Sequence, residues 1–179
     1  MLANVEMTAV AKGFPPVAGK RPRVLILGSL PSRQSILLQQ YYAHPRNTFW
    51  PVMAAVLQAD LSTSYRQKTT AVRKAGIAIW DVLDSSVRPG SMDAAIVEST
   101  AKANDIIGFL QRHDGIRAIF FNGQTAARLF HKRMRQDLAG LARPIDLHTM
   151  PSTSPAHAAL SLPQKIERWS QLRSYLSEN

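Results

Sequence analysis

Two stretches of the chain carry more chemistry than a chain connection needs. They are Tyr41-Tyr42-Ala43-His44-Pro45-Arg46-Asn47 and Pro151-Ser152-Thr153-Ser154-Pro155-Ala156-His157. A simple turn is served by Gly, Asn or Asp, and a phenol or an imidazole adds nothing to it. Three further places offer polar groups at the end of an apolar run: Gly28-Ser29-Leu30-Pro31-Ser32, Asp81, and Asn122-Gly123-Gln124. This set brings hydrogen-bonding amides and hydroxyls, stacking rings and one carboxyl group. It brings no thiol, because the chain has no cysteine. That removes disulfides, thiolate zinc sites, cysteine nucleophiles and iron–sulfur clusters together. His113, His131 and His148 show no metal-ligand spacing, so no metal is expected. Ser32 lies in GSLPS, which is not the G-x-S-x-G of a nucleophile elbow. No phosphate-cradling Walker motif or dinucleotide fingerprint occurs, and no cofactor is expected.

The elements that hold these residues follow from apolar patterning. Val24-Leu25-Ile26-Leu27 is a continuous apolar run ending at Gly28, which reads as a strand covered on both faces. Ile77 to Leu83, Ile116 to Phe121 and Ile145 to Met150 read as three more strands. Between them fall helical patterns. One follows Pro31, one starts near Thr48 or Phe49, one covers Arg66 to Lys74 and stops at Gly76, and a long one covers Asp93 to Gln111. Another starts near Gln124, and a closing helix is expected from Pro163 to Leu176. Strands alternating with helices predict an α/β fold, a three-layer α/β/α sandwich with a short four-stranded parallel sheet. Sites in such sheets gather at the carboxyl ends of the strands, where four of the five polar stretches fall, the one from Tyr41 to Asn47 lying between two helices. Residues 1–20 read as an N-terminal arm and residues 21–179 as a single domain, with no internal repeat or linker.

The 179 residues include 22 Lys and Arg against 12 Asp and Glu, a formal net charge of +10. Such an excess on one small domain favours a polyanionic partner. No apolar run has the roughly 18 residues of a membrane span, so nucleic acid is the better inference than a membrane surface. Met1 to Gly19 lacks the pattern of a signal peptide, which predicts a cytoplasmic protein, nucleoid-associated if bacterial. A monomer is the default.

GSLPS, YYAHPRNTFW, GIAIWDVL, FFNGQTA and MPSTSPAH, taken together over roughly Arg21 to Ser174, resemble the uracil-DNA glycosylase superfamily. The likeness is greatest to the hypoxanthine-DNA glycosylase branch and next to the mismatch-specific uracil glycosylases. It implies an enzyme that rotates a damaged or mismatched nucleotide out of DNA, at a cost of a few kcal/mol, and hydrolyses its N-glycosidic bond. On this resemblance Asn47 is the catalytic residue, its amide carbonyl orienting water against the anomeric carbon, and His44 polarises the leaving base or holds the loop. Tyr42 supplies the face on which the base stacks, a contact worth about 1–3 kcal/mol. Gly28, Ser29, Leu30, Asp81 and Asn122 surround the base. Ser32, Ser152, Thr153, Ser154 and His157 contact the DNA backbone. No lysine is placed as a nucleophile, so hydrolysis without lyase activity is implied.

Two departures from the family stand out. Many members carry Asn or Asp just after the first strand, where this chain has Leu30, and many place a Leu wedge where it has Ser154. Leu30 points away from a standard uracil enzyme and keeps open a catalytically silent DNA-binding member. A strict uracil glycosylase and an RNA-binding protein on the same scaffold also stay open. Four of the site residues have plain structural readings as well. Asn47 is a good helix cap, Tyr42 a packing aromatic, His44 a loop hydrogen-bonder and Asn122-Gly123 a turn.

Overall fold

A computed structural model describes residues 9–176. Its centre is a parallel sheet of four strands in the order β3-β2-β6-β7. These are β2 (Val24–Gly28), β3 (Ile77–Asp81), β6 (Ala118–Asn122) and β7 (Asp146–Met150). Strand β2 runs between β3 and β6 in continuous register, Val24 opposite both Ile77 and Ala118. Its apolar run is explained by what covers it. Val24 and Ile26 face one buried cluster and Leu25 and Leu27 the other, as the two-residue period of a strand requires. The first cluster is closed by α2 (Phe49–Leu57), α3 (Tyr65–Lys74) and α6 (Leu162–Trp169), through Phe49, Met53, Val72 and Trp169. The second is closed by α4 (Ile106–Arg112) and α5 (Gln124–Leu138), through Phe109, Leu110, Leu129 and Phe130. The expected three-layer sandwich is thus the fold the chain adopts.

The helices begin and end where their chemistry dictates. Ser64 and Ser161 each close a capping box, with Gln67 and Gln164 reaching back to the cap N–H. Chain reversal after α3 uses Gly76 at φ +82°, a left-handed conformation that costs glycine nothing. Helix α1 (Arg33–Leu38) is capped by Ser32, whose hydroxyl accepts from the Ser35 N–H.

Four sequence expectations are corrected. The helix expected over Asp93 to Gln111 is absent before Ile106. In its place stand two 3₁₀ turns, Asp93–Ala95 and Glu98–Thr100, then the two-residue β5 (Lys102–Ala103). The backbone there is drawn instead into a second, antiparallel sheet β1-β4-β5, made by β1 (Val10–Lys12), β4 (Leu83–Val87) and β5. The strand expected to run through Leu83 breaks at Val82, whose N–H and that of Leu83 bond to the carbonyls of Gly28 and Ser29. The closing helix ends at Trp169 and continues to Tyr175 as 3₁₀. Residues 9–20 of the expected arm are woven into the domain. Strand β1 pairs with β4, and Val17 exchanges hydrogen bonds with Ile79 at 2.9 and 2.8 Å. Residues 1–8 lie outside the described part.

Candidate active site

A cleft of about 250 Å³ opens at the carboxyl ends of β2, β3 and β6. All the sequence-nominated residues except His44 line it. Gly28, Ser29 and Leu30 come from the end of β2, Asp81 from β3, Asn122 from β6, and Ser32 from the cap of α1. Tyr42 and Asn47 come from the loop before α2, and Ser152, Thr153, Ser154 and His157 from the loop after β7. His44 lines a neighbouring hollow that shares Tyr42 and Asn47 with the cleft. Its Nδ1 accepts from the Arg46 N–H at 3.1 Å, which leaves Nε2 as the ring atom free to donate.

Asn47 is half-buried and lines the cleft, while its Oδ1 accepts the Phe49 N–H at 2.9 Å in the turn that leads into α2, whose cap position is held by Thr48. That bond fixes the amide plane, and the carbonyl oxygen keeps a second lone pair. The next residue ties the loop down. Thr48 donates from both its N–H and its hydroxyl to the Thr153 carbonyl, at 3.0 and 3.2 Å.

Thr153 joins the two unusual loops. Its N–H donates to Asn122 Oδ1 and its hydroxyl accepts from Asn122 Nδ2, both at 2.9 Å. With 0 % exposure, Thr153 cannot reach a phosphate as the resemblance implied. Asn122 is correspondingly occupied in holding the loop, which limits what it can offer a base. Ser152 and Ser154 remain half-buried at the rim. Their hydroxyls accept the N–H groups of Ser154 and Ala156, so their own protons stay available. Leu30 is 5 % exposed and packs in the second apolar cluster, so its side chain belongs to the core.

Tyr42 sits in the left-handed region at φ +56°, which a bulky side chain adopts only when its surroundings impose it. Its ring stacks on Phe49 with centroids 3.9 Å apart and planes 20° apart. One face is therefore taken, and only the other is available to a ligand. The hydroxyl is buried without a well-aligned hydrogen bond, the Asn122 side chain lying close enough to interact with it. Burial raises its pKa, and the nearby Asp81 charge raises it further.

The floor of the cleft is acidic and tightly packed. Asp81 is 4 % exposed, and its Oδ2 has no partner among the described residues. Burial is the main cause that pushes its pKa up to about 8, with the charge of Asp93 adding to it and Arg88 opposing it. Gly28 makes the close approach possible: a Cβ there would meet Asp81 Oδ1 at under 3.0 Å and Tyr42 Oη at 3.3 Å.

Residues that sequence reading passed over complete the site. Asp93 accepts from the Ser29 hydroxyl at 2.6 Å, and burial raises its pKa too. Arg88, 4 % exposed, donates to the carbonyls of Leu30 and Pro31 and so holds the GSLPS loop in place. Ser35, Ser91 and Met92 also line the cleft. Asp93 was hidden because Asp93 to Gln111 reads as helix, which would carry its side chain away from the strand ends. The Gly90-Ser91 turn signal just before it was the available clue.

Charge is distributed unevenly. Arg128 and Lys132, in the basic run of α5, both pair with Glu98, Lys132 at 2.7 Å, which holds the Glu98 carboxyl down at about 2. Among the described residues no group of three or more Asp, Glu or His is placed to hold a metal, and no helix is long and apolar enough to cross a membrane.

The family model of the uracil DNA glycosylase superfamily matches residues 15–173. A hypoxanthine DNA glycosylase of Methanosarcina acetivorans is 36% identical over 118 residues, covering 65% of this chain and 73% of that protein. One of Methanosarcina barkeri is 34% identical over 116 residues, covering 64% and 72%. A solution NMR structure from Methanosarcina acetivorans, provisionally assigned as a uracil DNA glycosylase, superposes with a TM-score of 0.78. It is 31% identical, and the match covers 95% of this chain and all of that one. The chain belongs to the uracil DNA glycosylase superfamily and is a DNA N-glycosylase.

Proposed function

We propose that the protein removes deaminated bases from DNA as a monofunctional glycosylase in base excision repair, with hypoxanthine as its principal substrate. The observation that carries this reading is the arrangement at the first motif. Leu30 is packed in the core where many relatives bear a polar catalytic group, while Asn47 lines the cleft with an oriented amide. Relatives named for hypoxanthine support the choice of base.

In this reading the target nucleotide rotates into the cleft and stacks on the open face of Tyr42. Water held by the Asn47 carbonyl attacks the anomeric carbon as the C1′–N bond breaks. An amide is a weak base, but a loose, oxocarbenium-like transition state needs a positioned water more than a strong base. Ser152, Ser154, Ser32 and His157 at the rim are the candidates for backbone phosphates, and the net charge of +10 adds non-specific attraction. The protein acts as a cytoplasmic monomer.

The test is a panel of duplexes carrying one deoxyinosine, deoxyuridine or deoxyxanthosine, treated with enzyme and then with alkali to cut abasic sites. Cleavage at deoxyinosine at the highest rate supports the assignment. Cleavage at deoxyuridine alone replaces it with a strict uracil enzyme. Tight binding without cleavage of any duplex makes the chain a silent member.

A further inference from the structure

The floor of the cleft holds two polar atoms that the mechanism above leaves unused. Asp81 Oδ2 is buried and lacks a hydrogen-bond partner among the described residues, and Tyr42 Oη, buried beside it, has no well-aligned hydrogen bond although the Asn122 side chain is close enough to interact with it. Leaving such groups unsatisfied costs about 1–3 kcal/mol each, more for a carboxylate. The Asp81 carboxyl group and the Tyr42 hydroxyl converge on Gly28 in the cleft floor, and the unsatisfied carboxyl oxygen marks a place that a ligand's polar edge completes. Water-positioning by Asn47 and stacking by Tyr42 do not account for the carboxyl group.

We propose that Asp81 is a second catalytic residue: its carboxyl group touches the everted base and gives it a proton as the glycosidic bond breaks. This rests on the base-excision reading above and adds the chemistry of the leaving group to it. As C1′–N breaks, both bonding electrons go to the departing base. The proton from Asp81 joins a heteroatom of that base, so that it leaves neutral. Water forms the new C1′–O bond, and the proton it loses is returned through solvent to the Asp81 carboxylate. The balance is nucleoside plus water giving abasic sugar plus free base.

The surroundings suit an acid that keeps its proton near neutrality. Asp93, on the turn after β4, lies close enough for its charge to disfavour ionisation of Asp81, and burial acts in the same direction. Arg88, beyond β4, opposes them, but its guanidinium is bonded to the Leu30 and Pro31 carbonyls and not to Asp81. From the other side Tyr41, Tyr42 and Tyr65 feel the Asp81 charge, and none of them brings a positive one. The balance puts Asp81 at about 8, which suits a general acid working at neutral pH.

The experiment is single-turnover release of hypoxanthine from a deoxyinosine duplex between pH 6 and 10, for the wild type and for Asp81→Asn. Wild-type rates should fall about tenfold per pH unit above about 8, the limiting slope for loss of one proton. Asp81→Asn, which keeps the shape and a hydrogen-bond donor, should be slower by about 10²-fold or more and flat over the same range. A wild-type profile that is flat to pH 10 overturns the proposal. So does a variant that keeps the wild-type fall, since the substrate's own lactam would then be the titrating group. No base release by the wild type at any pH is a different failure, that of the base-excision reading itself. If the variant does not fold, the carboxyl ¹³C shift of Asp81 in the wild type decides. Its titration midpoint must coincide with the fall in rate, and a midpoint near the usual carboxylate range overturns the proposal.

Discussion

Gly28→Ala should injure activity far more than stability, because the methyl group lands where the cleft is tightest. The backbone at Gly28 is not in the left-handed region, so alanine adopts it without strain and stiffens the unfolded chain by about 0.4–1 kcal/mol in the variant's favour. Against this, the new Cβ meets Asp81 Oδ1 at under 3.0 Å and Tyr42 Oη at 3.3 Å. One of them must retreat by roughly 1 Å to reach ordinary contact. Neither is free to do so: Asp81 is 4 % exposed, and Tyr42 is stacked on Phe49. Overpacking of this kind costs about 1–3 kcal/mol, so the net loss is about 1–2 kcal/mol. In a domain of this size that lowers the melting temperature by roughly 2–8 °C. The displaced groups are the two the everted base must meet, so single-turnover base release should fall at least tenfold, about 1.4 kcal/mol in the barrier. A melting curve by circular dichroism and a gel assay on one duplex read both quantities. Wild-type release from a variant with wild-type melting would refute the packing account of the cleft floor.

Asn122→Ala removes both bonds to Thr153 and leaves a buried N–H unpaired; it should cost about 2–4 kcal/mol by urea unfolding and loosen the loop over residues 151–157. A loss under about 0.5 kcal/mol would show that the loop is held elsewhere. Asp81 should make stability fall as pH rises. Its folded pKa of about 8 lies above the usual 3.8, so the folded state binds the extra proton, and stability declines from about pH 4 to about pH 8. Asp81→Asn should therefore gain on the wild type in melting temperature between pH 5 and pH 9, and an unchanged difference would refute the burial argument. DNA affinity should drop linearly in log–log terms with salt, as phosphate contacts release counterions. An affinity insensitive to salt between about 50 and 200 mM would speak against phosphate tracking by the cleft rim.

The sheet was legible because its signal is local. Val24 to Leu27 is buried on both faces, so every residue of the run is apolar, and the alternation with amphipathic helices leaves few topologies. The cleft was legible for a related reason: parallel strands deliver their carboxyl ends to one edge, so polar residues after each run converge. What escaped was set by partners distant in sequence. Ser85 and Ser86 are buried in a small antiparallel sheet only because residues 10–12 and 102–103 lie alongside. Nothing local announces this, and the helical spacing of residues 93–111 points the other way. Asp93 escaped with that segment, and Arg88 looked like a loop residue although its guanidinium is inserted beneath the GSLPS loop. Thr153 shows the converse error. A loop motif with three hydroxyls reads as surface, yet its central member is the buried tie between two loops.

The central claim is that an oriented amide on the loop before α2 drives hydrolysis of an everted base, and Asn47→Ala tests it most directly. The Oδ1 bond to the Phe49 N–H is lost, about 1 kcal/mol, so the fold survives. Single-turnover release from a deoxyinosine duplex should drop by about 10²-fold or more, with affinity for the same duplex nearly unchanged. Release within a few-fold of the wild type would contradict the account.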